Sequence, residues 1–203
     1  MQGYILKTNR VKDEDLIVTI ITKDEIKTVY RFYGTRHSKI QLGFKLDFEV
    51  TDTNMLINTN HILNGSWIFD RQTLYIWQQL CIMYSKHLFG LNEIEEFYYN
   101  LLENISTKLH KQNPKRVLIE GYLDLLEYEG RLDTKFLCAN CNQEIEGTIA
   151  FGRAFLPFHT KCVYSNTKIF NKNIIKKTFE EKNSMFLNDN DIDRLYSVLE
   201  MGF

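Results

Sequence analysis

Cys138-Ala-Asn-Cys141, then seventeen residues, then His159-Thr-Lys-Cys162: from this stretch the rest of the chain is read. Two-residue gaps within each pair let neighbouring thiolate or imidazole groups converge on one ion. The longer gap lets the second pair fold back and complete a tetrahedron. Four soft or borderline ligands with no spare position describe one structural Zn2+ held by Cys138, Cys141, His159 and Cys162 and closed to substrate. The plainer alternative is three buried free cysteines and a surface histidine. The chain has only four cysteines, and three of them fall in this window, which favours the metal. A redox Cys-x-x-Cys would open a helix after a strand, whereas polar turn residues Asn142, Gln143 and Glu144 follow this one.

A chain of 203 residues can bury a real core in one large domain or two to three small ones. The net charge of -1 gives no global pull toward nucleic acid or membrane, so any such partner must meet a local patch. No apolar run approaches the roughly 20 residues of a membrane helix. The opening Met1–Lys7 alternates where a signal peptide would carry an apolar segment. Few cysteines, mostly committed to a metal, fit a reducing cytoplasm. The expectation is a cytoplasmic protein without a membrane partner.

Residues 1 to about 60 read as strands. Tyr4, Leu6 and Thr8 alternate with Ile5 and Lys7, and Leu16–Thr22 is rich in β-branched residues. Ile26–Gly34, Gly43–Thr51 and Met55–Thr59 supply three more, punctuated by polar turns. Five short strands in this length suggest a small closed or partly closed barrel of the OB type, with a sheet capped by later helices as the competing geometry. From Asp70 the period becomes helical. Asp70 caps a stripe of Leu74, Trp77, Leu80, Cys81, Tyr84 and Leu88, ended by Gly90. Asn92, with Glu95 three residues on, is read as the cap of a second helix, carrying Ile94, Phe97, Tyr98, Leu101, Leu102, Ile105 and Leu109. Asn113-Pro114 opens a third, with Val117, Leu118, Leu125 and Leu126 inward and Gly130 at its end. Ile174–Phe179 and Ile192–Leu199 read as two more. The expected fold is α+β: a five-stranded OB-type β-barrel, then a helical bundle interrupted by a zinc-binding module. The domain expectation is 1–65 and 66–203, with the module at about 135–165.

Catalytic motifs are absent: no glycine-rich phosphate loop, no Gly-x-Ser-x-Gly elbow, no His-Glu-x-x-His, and no His-x-Glu of a zinc deaminase. Cys81 sits in an apolar stripe and reads as core. Charge is more informative locally. Lys7, Arg10, Lys12, Lys27, Arg31, Arg36 and Lys39 fall in the strand region, interleaved with Tyr30, Phe32 and Tyr33. Barrels of this type bind single strands through a basic groove with aromatic platforms. Tyr33-Gly-Thr-Arg-His-Ser-Lys39 is the densest case, although acids Asp13, Glu14 and Asp15 dilute the field. Lys168–Lys177 is a second basic stretch, read as a solvated helix face or an accessory phosphate contact.

Three stretches resemble the bacterial RecO recombination mediator family. One is Tyr4-Ile-Leu-Lys-Thr-Asn9 with Asp13-Glu-Asp-Leu-Ile-Val-Thr-Ile-Ile-Thr22. The second is Tyr33-Gly-Thr-Arg36 with Ser38-Lys39 and then Leu46-Asp-Phe-Glu-Val50, and the third is the metal quartet. The chain departs from the family pattern where His159 replaces a cysteine and where Asn142 stands for a glycine. The resemblance implies an OB-fold domain that binds single- and double-stranded DNA and anneals complementary strands. It also implies partnership with RecR and with the tail of single-strand-binding protein, and indirectly with RecA, in a nucleoid-associated setting. The expectation is a non-catalytic protein of DNA repair and homologous recombination. Its DNA contacts would be Lys7, Arg10, Arg31, Tyr33, Arg36 and Lys39. Rival readings are a zinc-stabilised protein-interaction adaptor and an enzyme acting on nucleic acid with divergent residues.

Overall fold

A computed structural model describes residues 1–37, 39–163 and 167–203. Ser38 and the end of the expected zinc module lie outside them. The chain forms two compact units, Met1–Pro114 and Lys115–Phe203.

The first unit is built on an antiparallel sheet of β1 (Gln2–Arg10), β2 (Leu16–Ile21), β3 (Ile26–Arg31), β4 (Lys45–Val50) and β5 (Leu56–Ile62), in the order β3-β2-β1-β4-β5. Side chains alternate across a pleated strand, and here both faces are buried. Ile5, Val18, Ile20, Val29, Leu46 and Phe48 form the core on one face. Tyr4 packs from β1 edge-on against Trp77 of α1 (Arg71–His87), with ring centroids 5.5 Å apart. The Trp77 indole N–H donates to the Gly43 carbonyl at 2.7 Å. Gly43 lies at φ +83, and a Cβ there would stand 2.8 Å from the Trp77 ring, so both backbone and space require glycine.

The sheet does not close into a barrel. Among the described residues the ends of the order, β3 and β5, meet at an isolated parallel bridge between Tyr30 and Met55. A physical reason lies in the next residues. The Leu56 carbonyl, which a continuing ladder would use, accepts the Arg31 guanidinium at 2.6 Å. Beyond Arg31 the chain turns away through Tyr33 at φ 48.

Asp70 caps α1 as expected, its carboxylate accepting the Thr73 N–H at 2.7 Å. Cys81 is fully buried in this helix, and burial pushes its thiol pKa well up. Asn92 does not cap the next helix. Its carbonyl accepts from Ile26 N at 2.8 Å, and Ile94 N donates to Asp24 O at 3.0 Å, so this segment extends the edge of the sheet. Helix α2 (Glu96–Lys108) begins after it, with Glu95 at its N-cap. Tyr99 and Ser106, which the apolar stripe missed, are buried because they face Tyr4, whose hydroxyl is 3.0 Å from Ser106 Oγ.

The second unit holds α3 (Pro114–Tyr128) from its second residue on, a small sheet ordered β7-β6-β8, and two further helices. The strands are β6 (Thr148–Phe151), β7 (Pro157–Phe158) and β8 (Ile169–Asn171), and the helices are α4 (Lys172–Glu181) and α5 (Asp189–Leu199). Its core is rich in phenylalanine. Phe151 stacks on Phe179 at 5.4 Å, with Phe136, Phe155 and Phe170 around them. Rings of this size bury about 150–250 Å² each. They let few residues fill a small core.

Candidate metal centre and nucleic-acid face

The metal centre is assembled from two tight turns of the second unit. Asp133 accepts the N–H groups of Lys135 and Phe136, fixing the chain before the first turn. Cys138 N donates to Gln143 O at 2.9 Å and Asn142 N to Cys138 O at 2.7 Å, folding the first pair into a knuckle. Asn142 lies at φ 57. That left-handed conformation favours glycine, and asparagine is among the few other residues that tolerate it. Asparagine at this position therefore keeps the turn. Ala139 N donates to Pro157 O at 2.8 Å, drawing the first knuckle onto β7, and His159 and Cys162 follow in the next turn.

The four ligand atoms lie within 4.8 Å of one another. A tetrahedron with zinc–sulfur and zinc–nitrogen distances near 2.3 and 2.0 Å has edges of roughly 3.5–3.8 Å. The Nδ1 atom of His159 is 3.3 Å from Cys141 Sγ and 4.0 Å from Cys162 Sγ, which brackets that edge. The other ring nitrogen, Nε2, faces the Glu144 carbonyl at 3.1 Å and so carries the proton. This outer hydrogen bond aims the Nδ1 lone pair at the thiols, as in metal-bound histidines. Burial opposes ionisation of Cys138, but the N–H groups of His159, Cys141 and Asn140, with the His159 side chain, outweigh it and bring the thiol down to about 6. Cys162 is pushed up, by burial and then by hydrogen bonding to the Cys138 thiol. Three thiols and one imidazole nitrogen facing a common point are a donor set for a cation. The donor set, spacing and outer hydrogen bond all fit a metal ion. Cys138 is buried and Cys141 exposed.

The expected DNA contacts on β1 and β3 fall in two rows of the sheet. Arg10, Leu16 and Arg31 form one row across the sheet. Lys7, Thr19 and Thr28 form another, about 10 Å along the strands. Lys7 lines a groove of about 600 Å³ with Lys86, Ile82, Leu88, Phe89 and Leu91, away from the other expected contacts. Arg31 is half-buried and engaged with Leu56 O and the His37 ring. Arg10 is exposed, with Nε donating to Asp13 O at 2.8 Å. Tyr33, Arg36 and Lys39 are exposed on the β3–β4 connection. The Arg36 guanidinium lies 4.9 Å over the Tyr33 ring and pairs with Glu14.

The acids expected to dilute this field instead organise it. Asp15 accepts the Tyr30 hydroxyl through one oxygen and the Tyr33 N–H, at 2.7 Å, through the other. Those two bonds hold its carboxyl below the usual carboxylate range, the Tyr30 bond contributing most. Thr35 N donates to Glu14 O at 2.9 Å. Gly34 is packed on Leu16, where a Cβ would stand 2.8 Å from Leu16 Cγ. Sequence spacing did not reveal this clamp, because Asp15 and Tyr33 are 18 positions apart and meet only once the strand register is set.

Compared with known proteins, residues 1–67 match a family described as RecO N terminal. The match covers β1 to β5 and bears out the resemblance read from the opening strands and the Tyr33–Lys39 loop. No curated protein matches the chain.

Proposed function

We propose that this chain, which carries the N-terminal domain of the RecO family, is a non-catalytic DNA-binding protein of recombinational repair. It anneals complementary single strands and helps load RecA on strands covered by single-strand-binding protein, with RecR as a further partner. The family match over residues 1–67 carries this reading, because the same residues hold the exposed cations Arg10, Arg36 and Lys39 and the exposed ring of Tyr33. Arg31 is half-buried and held by Leu56 O and the His37 ring, and Lys7 stands apart at the groove. Phosphate contacts carry no sequence information, so binding is sequence-tolerant.

Counterion release sets the test. Three single-strand phosphate contacts give a log–log salt slope of about -2, or roughly 20-fold weaker binding between about 50 and 200 mM salt. Strand annealing, with and without single-strand-binding protein, is measured alongside. Affinity that stays flat over this range, or an Arg36→Ala/Lys39→Ala variant that binds as tightly as the parent, refutes the reading.

Cys138, Cys141, His159 and Cys162 would hold one zinc ion, which supplies folding energy by cross-linking the two knuckles. With all four positions filled by protein, the chain's residues leave no place for a substrate. The domain division proposed is a DNA-binding sheet domain followed by helices that carry the zinc module. A second reading, a zinc-stabilised adaptor, draws on the largely apolar groove beside Lys7, where Phe89 is 86 % exposed. Protein capture that survives nuclease treatment, with no shift of DNA in a gel, would favour it.

A further inference from the structure

The geometry points to Phe32 as a second base-stacking residue beside Tyr33, and as the residue that makes this surface prefer single strands to duplex. The inference rests on the nucleic-acid reading above and gives it a strand preference.

Phe32 follows β3 and is 51 % exposed. Its hydrocarbon ring has no polar atom to satisfy in water, and its exposure is not that of a loose loop tip. The ring packs edge-to-face on Tyr30, with centroids 5.0 Å apart and planes at 77°. Such a contact occupies at most one ring face and leaves the other open. Tyr30 is fixed at both ends. Its backbone pairs with Met55, the N–H donating to Asn54 O at 2.9 Å, and its hydroxyl bonds Asp15. The next anchor is Tyr33 N–H, again on Asp15. Phe32 is therefore held between two residues fixed by one carboxylate, so ordering the ring for a ligand costs little further entropy.

Tyr33, next along, already has the Arg36 guanidinium over its ring. Two adjacent exposed rings, with Arg36 and Lys39 on the same connection, combine what non-specific single-strand binding uses: π-faces for bases and cations for phosphates. The cations serve either form of DNA. The rings serve only unpaired bases, because the faces of paired bases are covered by their neighbours in the stack. Phe32 is thus assigned to strand preference and Arg36 and Lys39 to general affinity.

The test measures binding of the full chain to oligo-dT and to a duplex of equal length. Phe32→Ala is expected to weaken oligo-dT binding by about 5- to 150-fold, the range for losing one base–aromatic stack, with duplex binding held within about twofold. Retained duplex affinity is also the folding control. Phe32→Trp is expected to restore oligo-dT affinity and to report it directly. Both native tryptophans, Trp67 and Trp77, are buried, so quenching of emission on adding oligo-dT would come from position 32. Oligo-dT affinity within about twofold of the parent for Phe32→Ala, equal losses for both forms of DNA, or unquenched Trp emission at saturation would each overturn the assignment and leave the DNA-binding reading intact. A parent protein that binds neither DNA overturns both.

Discussion

Replacing Gly34 by alanine tests whether the Tyr33–Lys39 loop is seated by contact with β2. The backbone at Gly34 lies outside the left-handed region, so the obstacle is space alone. An added Cβ would stand 2.8 Å from Leu16 Cγ, 2.9 Å from Cδ1 and 3.0 Å from Cβ. Carbon atoms pack best at about 3.5–4.0 Å, so Leu16 must move by roughly 0.5–1 Å. Leu16 is only 7 % exposed and belongs to the sheet core, where its movement disturbs neighbours. Overpacking of this kind costs about 1–3 kcal/mol. Alanine offsets about 0.4–1 kcal/mol of that by stiffening the unfolded chain. The net expectation is a loss of about 0–2.5 kcal/mol. Leu16→Ala alone costs about 2–5 kcal/mol as a cavity. In that background two of the three close contacts are gone, so Gly34→Ala becomes neutral to slightly stabilising. Urea titration followed by tryptophan emission measures the cycle, since Trp67 and Trp77 both lie in the first unit. A coupling energy of about 1–2 kcal/mol is expected, and costs that add to within about 0.5 kcal/mol would refute the seating.

Elemental analysis is expected to find one zinc per chain in the parent and none in Cys138→Ser, and chelator should lower the parent's melting temperature; a metal-free parent of unchanged stability contradicts the metal centre. The Asp15 clamp has a definite pH sign. Because its folded pKa is depressed, the clamp adds stability above the ordinary carboxylate range and loses it as pH falls through the depressed value. Carboxyl titration by NMR should place Asp15 below the usual value of about 3.9, and Tyr30→Phe should raise it; an unmoved midpoint would show that the Tyr30 bond does not hold the charge. Tyr4→Phe removes the hydroxyl that Asn64 Nδ2 reaches at 2.5 Å and Ser106 Oγ at 3.0 Å. The loss should be about 1–2 kcal/mol by urea titration, and a neutral change would mean that water replaces the hydroxyl.

The quartet was legible because its ligands are set by local spacing, and the knuckles that close on it are two-residue turns. The five strands were legible for the same reason, since alternation is a property of neighbouring residues. What escaped was set by register. Ser106 and Tyr99 looked ordinary on α2, and only the sheet brings Tyr4 to them. Asn92 carried a helix-capping pattern, yet the unpaired edge at Ile26 took its carbonyl. The acids Asp13–Asp15 read as a diluting charge run, while Asp15 turned out to anchor the loop it was set against. The barrel expectation failed at one joint, where a side chain of β3 took the carbonyl that a ladder needed.

That joint has a mechanical meaning. In a closed barrel the girth is fixed by strand number and stagger, and widening it breaks a whole ladder. Here the seam between β3 and β5 is crossed by the Tyr30 N–H on Asn54 and by the Arg31 guanidinium on Leu56. The bridge and the guanidinium bond stand outside the register of the sheet's four strand pairings. Arg31, Phe32 and Tyr33 begin at this seam, so the residues proposed to meet DNA sit beside the one joint between neighbouring strands of the described sheet that is a single bridge and not a ladder.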